Sequence, residues 1–187
     1  LYRDAHLADC GLSGWQAPYI PEICAAPGIT QDQLAMRMKD EDWDKVIDVN
    51  LTAVARLSRG VLRGMMKAKE GRIINITSMS AHLGFSEVVP YCTSKGAVLS
   101  MTRGLAVEWA QDNICVNSIA PGWFQSKMLE QVADPAREQK ILSRMPLHSY
   151  GDTRDLGALA SFLCGSGASY MTGQDFAVDG GALAFGY

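Results

Sequence analysis

The chain has 187 residues, of which 48% are hydrophobic and 20% charged, a balance that suits one globular domain with a buried core. Its formal net charge of −3 at pH 7 gives no global field to draw nucleic acid or an acidic membrane. No apolar run reaches the ~20 residues of a membrane span, and Leu1-Tyr2-Arg3-Asp4-Ala5-His6 lacks the layout of a signal peptide, so the expectation is a soluble, cytoplasmic protein.

Residues 1–24 read as an atypical leader with no sustained period. Within it, Tyr19–Cys24 could form a short strand, which Pro21 would confine to a sheet edge or a bulge. Thr30-Gln31-Asp32-Gln33 has the form of a capping box opening a short helix. Asp40 is then expected to cap a long helix, because Trp43, Val46, Ile47, Asn50, Val54, Leu57, Val61 and Met65 recur at helical spacing. That helix should reach about Lys69 and be ended by Gly71. The basic cluster Lys67, Lys69 and Arg72 reads as its solvated end.

Arg72–Thr77 is a β-branched run expected to be a buried strand, followed by a loop over 78–88. Pro90 suits the first turn of a helix that carries Tyr91 and Lys95 and reaches about Gln111. Ile114–Ile119 is a second buried strand, stopped by Ala120-Pro121-Gly122. Residues 123–150 should hold one or two short helices, Asp152 should start another through about Cys164, and Asp175–Val178 should be the last strand, before Asp179-Gly180-Gly181. Five cysteines, an odd number without C-x-x-C or Cys/His metal spacing, imply a reducing compartment and no metal site. Cys92, Cys115 and Cys164 lie in apolar patterns expected to bury them.

Strands alternating with helices imply an α/β fold, a doubly wound parallel sheet with helices on both faces. Ligands of such sheets bind beyond the carboxyl ends of the strands. Ser78 follows one strand, Pro121-Gly122 follows the next, and Tyr91 opens the helix between them, so all can face one crevice.

Tyr91 and Lys95, at i and i+4, share one face of a helix. An ammonium near a phenol favours phenolate and lowers its pKa from about 10 toward neutrality, which makes a proton donor and acceptor usable in the cell. An isolated Tyr/Lys pair is more often an amphipathic surface feature. Ser78 alone would be a cap or turn residue, and Asn50 alone a bent or solvated helix position.

Taken together these residues resemble the short-chain dehydrogenase/reductase family. The matching elements are Asn50 in Val49-Asn50-Leu51, Ser78 after Ile74-Asn75-Ile76-Thr77, and Tyr91-x-x-x-Lys95. Val116 to Gly122, Thr172-Gly173-Gln174 and Val178-Asp179-Gly180-Gly181 add to them, so the resemblance runs from about Gly28 to Gly181. It resembles 3-oxoacyl reductases and polyol dehydrogenases alike, and implies a Rossmann-like domain over 25–187 that uses NAD or NADP to interconvert a small ketone and a secondary alcohol.

By that resemblance Tyr91 would exchange a proton with the substrate oxygen. Lys95 would lower its pKa and bond the nicotinamide ribose hydroxyls. Ser78 would donate to the reacting oxygen, and Asn50 would hold a water linking the lysine to solvent. Pro121, Gly122, Phe124 and Ser126 would lie against the cofactor, with Trp123 beside them. Residues 123–150 would form a substrate lid, and Leu83, Phe85, Trp123, Phe124, Met128 and Leu129 an apolar pocket or packing on the core. The resemblance also implies a homodimer or homotetramer paired through the helices 40–69 and 89–111 and the strand 175–178.

The chain departs from the family in its first part. The family's glycine-rich turn TGxxxGxG, which brings backbone N–H groups to the pyrophosphate, has no equivalent, since Gly11-Leu12-Ser13-Gly14 has the wrong spacing. The Asn-Asn-Ala-Gly element appears as Ala25-Ala26-Pro27-Gly28, with Pro27 lacking a donor. The residue that selects NAD from NADP falls in the part not visible here. His148-Ser149-Tyr150-Gly151 lacks an arginine often found before the aromatic residue. A fold truncated in its N-terminal half is expected to expose apolar surface around the strand 72–77. The alternative to an enzyme is a non-catalytic relative that acts through its oligomer interfaces.

Overall fold

The computed structural model describes residues 38–85, 88–125 and 135–185. The predicted leader over 1–24, the strand at 19–24 and the capping box at Thr30 lie outside the described residues. The helix expected over 40–69 is one continuous rod of three parts: α1 (Asp40–Ile47), a π-helical segment (Asp48–Thr52) and α2 (Ala53–Ala68). Lys39, not Asp40, takes the N-cap. Asp40, Glu41 and Asp42 instead fill the first turn, where carboxylates favour the positive end of the helix. The rod reaches Lys69 as expected, but Lys69 itself, in the left-handed region at φ 55, and not Gly71, ends it.

Gly71 instead opens β1 (Gly71–Ile76), where a Cβ would sit 2.6 Å from Met65 Sδ. The rest follows as α3 (Val89–Trp109), β2 (Ile114–Pro121), α4 (Pro135–Leu142), α5 (Thr153–Cys164), β3 (Asp175–Val178) and α6 (Ala182–Phe185). Pro90 lies in the first turn of α3, where its missing N–H costs no helical bond. β2 runs two residues beyond the expected Ile119, because Pro121 pairs with Val178.

The described strands form a parallel sheet in the order β1-β2-β3. Alternation along β1 sorts its side chains between the two faces. Ile73 packs with Ile114, Val116, Ala106 and Trp109, against α2 and α3. Ile74 packs with Ile119, Leu156, Leu163 and Phe176, against α5. The sheet is therefore covered on both faces, as an α/β parallel sheet requires.

Cys115 is buried as expected, but Cys92 and Cys164 are only half-buried. The expected apolar exposure is present at Trp43, Val49, Leu57, Met66 and Ile76. Among the described residues no helix is long and apolar enough to cross a membrane.

Candidate active site

β1 delivers Ser78 to the carboxyl edge of the sheet. Thr77 still belongs to the ladder, its N–H donating to Ile119 O at 2.8 Å. Ser78 then leaves in extended backbone and caps a 3-10 turn, Met79–Ala81, with its Oγ accepting from Ser80 N at 3.1 Å. That bond uses a lone pair and leaves the hydroxyl proton to be donated elsewhere. Ser78 itself is 8% exposed.

α3, which carries Tyr91 and Lys95, packs against this turn. Lys95 is buried, and its Nζ donates to Ile76 O at 2.9 Å, two residues before Ser78. The same ammonium lies 5.7 Å from the centroid of the half-buried Tyr91 ring, within cation–π range. Tyr91 and Lys95 thus lie one turn apart on α3, and Lys95 meets the end of β1.

Asn50 enters from the π-helical segment. An extra residue per turn rotates a helix face locally, and such segments recur at functional sites. Asn50 is buried here and its Nδ2 donates to Ser94 Oγ at 3.2 Å. Ser94 Oγ in turn donates to Tyr91 O at 2.7 Å. A side-chain relay thus runs from Asn50 to the backbone of Tyr91. Ser94, fully buried, is a residue that sequence reading passed over; its signal was a hydroxyl inside an apolar helix, where only a partnered hydroxyl is tolerated.

The positions after β2 behave differently. Pro121 ends the strand, and Gly122 N donates to Val178 O at 2.9 Å. A Cβ on Gly122 would stand 2.6 Å from Asp179 Cα, so only glycine fits this crossing. Trp123 O accepts from Gly151 N at 3.0 Å. Phe124 forms a parallel bridge with Gly151, and its ring packs into the α5 cluster. Leu83, Phe85 and Trp123 pack against Met79, Met145 and Ala182, beneath the Ser78 turn. These apolar residues are thus core packing for the turn. Ser126, Met128 and Leu129 lie outside the described residues.

The donor set at this edge is a hydroxyl, a phenol and an ammonium with three N–H groups. It fits ribose hydroxyls and a substrate carbonyl oxygen, so the residues present suit the nicotinamide half of a dinucleotide. No group of three or more His, Cys, Asp or Glu among the described residues could hold a metal ion.

A parallel α/β sheet with this set at its carboxyl edge defines a Rossmann-type protein, and the chain belongs to the short-chain dehydrogenase/reductase family. A family model described as enoyl-(acyl carrier protein) reductase matches residues 22–182. The chain is 41% identical over 179 residues to a 3-oxoacyl-[acyl-carrier-protein] reductase, FabG, of Rickettsia felis, covering 96% of this chain and 74% of the relative. It superposes on a gluconate 5-dehydrogenase from Burkholderia cenocepacia in complex with NADP and tartrate, at TM-score 0.78 and 32% identity. That match covers 81% of this chain and 60% of the other. A 4-hydroxyisoleucine dehydrogenase complexed with NADH gives TM-score 0.78 and 34% identity, over 81% of this chain and 63% of the other. The chain thus spans about three-fifths of the length of those solved structures.

Proposed function

We propose that the chain is an NAD(P)-dependent oxidoreductase that interconverts a small ketone and a secondary alcohol through Ser78, Tyr91, Lys95 and Asn50. The observation that carries this reading is the bond from Lys95 Nζ to Ile76 O, because it ties the Tyr91/Lys95 face of α3 to the strand end that presents Ser78. The relatives include a 3-oxoacyl reductase and a gluconate 5-dehydrogenase, and carbonyl/alcohol interconversion is the chemistry those two names share.

When bound, the nicotinamide supplies or accepts the hydride. Lys95 would hold its ribose hydroxyls, with Pro121, Gly122, Phe124 and Ser126 along the nicotinamide side. Tyr91 Oη gives its proton to the substrate oxygen in reduction and takes it back in oxidation. The Lys95 ammonium stabilises the phenolate left behind. Ser78 Oγ donates to the same oxygen and stabilises the charge that develops on it. Asn50 and Ser94 fix the backbone of Tyr91, and Asn50 would hold the water through which the lysine recovers protons. Exposed Leu57 and Met66 on α2 and Val107 on α3 support a homodimer or homotetramer paired through these helices.

The test is turnover of the full chain with NADH and with NADPH on a panel of small ketones, beside Tyr91→Phe. Removing a general acid costs about 10²–10⁴-fold in rate, and turnover that survived in Tyr91→Phe would sink the mechanism. Calorimetry with both nucleotides separates an enzyme from a non-catalytic relative: tight binding supports the first, and its absence the second.

A further inference from the structure

We infer that Asp175 and His82 are positioning residues that clamp the Ser78 turn from both sides; this rests on the reading of Ser78 just given. Asp175 opens β3 and pairs in register with Ser118 of β2. Its carboxylate is nearly buried, with 4% of the side chain exposed. Oδ1 accepts from Thr77 Oγ1 at 2.7 Å and from Ser118 Oγ at 2.5 Å. Oδ2 accepts from His82 Nε2 at 2.6 Å. Facing a carboxylate, Nε2 carries a proton in either charge state of the ring.

The three donors are not spread at random. Thr77 immediately precedes Ser78, and His82 ends the 3-10 turn that Ser78 caps. One carboxylate therefore grips both flanks of the candidate oxyanion donor, and Ser118 holds that carboxylate from the central strand. The two flanks are not equally secure without it. Thr77 keeps its ladder bond and a contact of its Oγ1 with Ile119 O at 3.0 Å. The far flank is held by the short turn, Ala81 N to Ser78 O at 2.9 Å with His82 N and Leu83 N to Met79 O at 3.0 Å, and by the apolar packing of Met79 and Leu83.

Short 3-10 turns have poorer hydrogen-bond geometry than α-helix, and apolar packing is not directional, so the His82 bond adds the directional polar tie between the end of the turn and the sheet. Ser78 Oγ is oriented by Ser80 N within that turn. A turn that swings carries the hydroxyl with it. Charge-assisted bonds to a desolvated carboxylate are strong enough to hold such a hinge.

The experiment uses the full chain as His82→Leu, His82→Gln and Asp175→Asn, with Tyr91→Phe as the control on the parent reading. A misplacement of the reacting groups by about an ångström costs on the order of 10²-fold in rate. His82→Leu and Asp175→Asn should therefore each lower kcat by about ten- to a hundredfold with KM little changed. His82→Gln, which keeps an N–H at similar reach, should recover most of the loss. Combined His82→Leu and Asp175→Asn should be no worse than either alone, since they remove one unit.

Amide hydrogen exchange gives a readout independent of turnover: Ala81 and His82 amides should exchange faster in the Leu and Asn variants and not in the Gln variant. A merely stabilising ion pair would instead lower the melting temperature and leave kcat of the folded variants unchanged, and that result overturns the inference. So does a Gln variant as impaired as the Leu variant, or exchange that no variant alters. If Tyr91→Phe keeps its turnover, the parent reading fails and exchange alone decides the clamp. If Asp175→Asn does not fold, the two His82 variants carry the test, because the His82 ring lies at the exposed end of the network, 33% accessible.

Discussion

The segment from β1 to α3 and the segment from β2 to α5 both bring residues to the carboxyl edge of the sheet, but they are held in place by different forces. In the first, polar atoms do the holding: Lys95 on Ile76 O, Asn50 on Ser94, Ser94 on Tyr91 O, Ser78 on Ser80 N. In the second, shape does: Gly122 crosses Asp179 with no room for a Cβ, and the Phe124 ring covers Gly151. The first segment places donors whose protons can move, and each carries a desolvation cost that its partners offset. The second places backbone, and it is tuned by volume. Mutations should therefore cost activity in the first and stability in the second.

The sharpest break of that contrast is Lys95→Met. The methionine fills the volume of the lysine stem, and replacing a buried charge by an apolar group of similar size is often neutral or stabilising. The melting temperature should hold or rise. Turnover should fall by about 10²–10⁴-fold, because the phenol loses the cation that favours its ionised form. A variant that unfolds while the remaining folded fraction turns over normally would reverse the assignment of roles. Gly122→Ala is the mirror experiment. The new Cβ meets Asp179 backbone at 2.6 Å, which no rotamer change relieves. Overpacking of this kind costs about 1–3 kcal/mol, and a rigid backbone neighbour puts it at the upper end. Denaturant titration should show that loss, while kcat per folded molecule changes much less than in Lys95→Met.

The same contrast explains what could be read from the sequence. The strands at Ile74, Val116 and Phe176 were legible because β-branched and aromatic runs between turn residues have few other uses. The Tyr91/Lys95 face was legible because its spacing is local and its partner strand ends at a serine. The break in the long helix was not: Asn50 fits helical spacing, and the π-helical segment shows only in the backbone, where Ala53 N–H donates to Asp48 O five residues back. The helix stop was misassigned to Gly71, because a glycine needed for close approach to Met65 looks the same in sequence as one needed for a left-handed turn. Phe124 fell on a position whose backbone is matched to cofactor contact, and its ring packs into the α5 cluster, a role its place in a loop does not reveal. Asp175 and His82 are far apart in the chain, and neither has a local pattern that marks it; only the parallel register brings them to one carboxylate.

The smallest effect tests the edge of the shape-held segment, where α5 begins. Asp152 is its N-cap: Oδ1 accepts from Arg154 N at 2.9 Å, and Oδ2 accepts from Arg154 Nε at 2.8 Å. The Arg154 side chain, and then its backbone N–H, hold the carboxyl below its ordinary value of 3.8. The sign follows from that direction. A carboxylate whose folded pKa is depressed contributes stability that is fully present above the unfolded value and is lost as pH falls through the folded one. Asp152→Asn keeps a good cap and removes only the charge. Its melting temperature should be slightly below that of the parent at pH 7, and the gap should close as the pH falls below 3.8, where the parent loses the same charge. Because the pair is exposed, raising the salt to about 1 M should narrow the gap at pH 7 as well. A gap that ignored both pH and salt would mean that the cap is held by shape, like the rest of its segment, and not by charge.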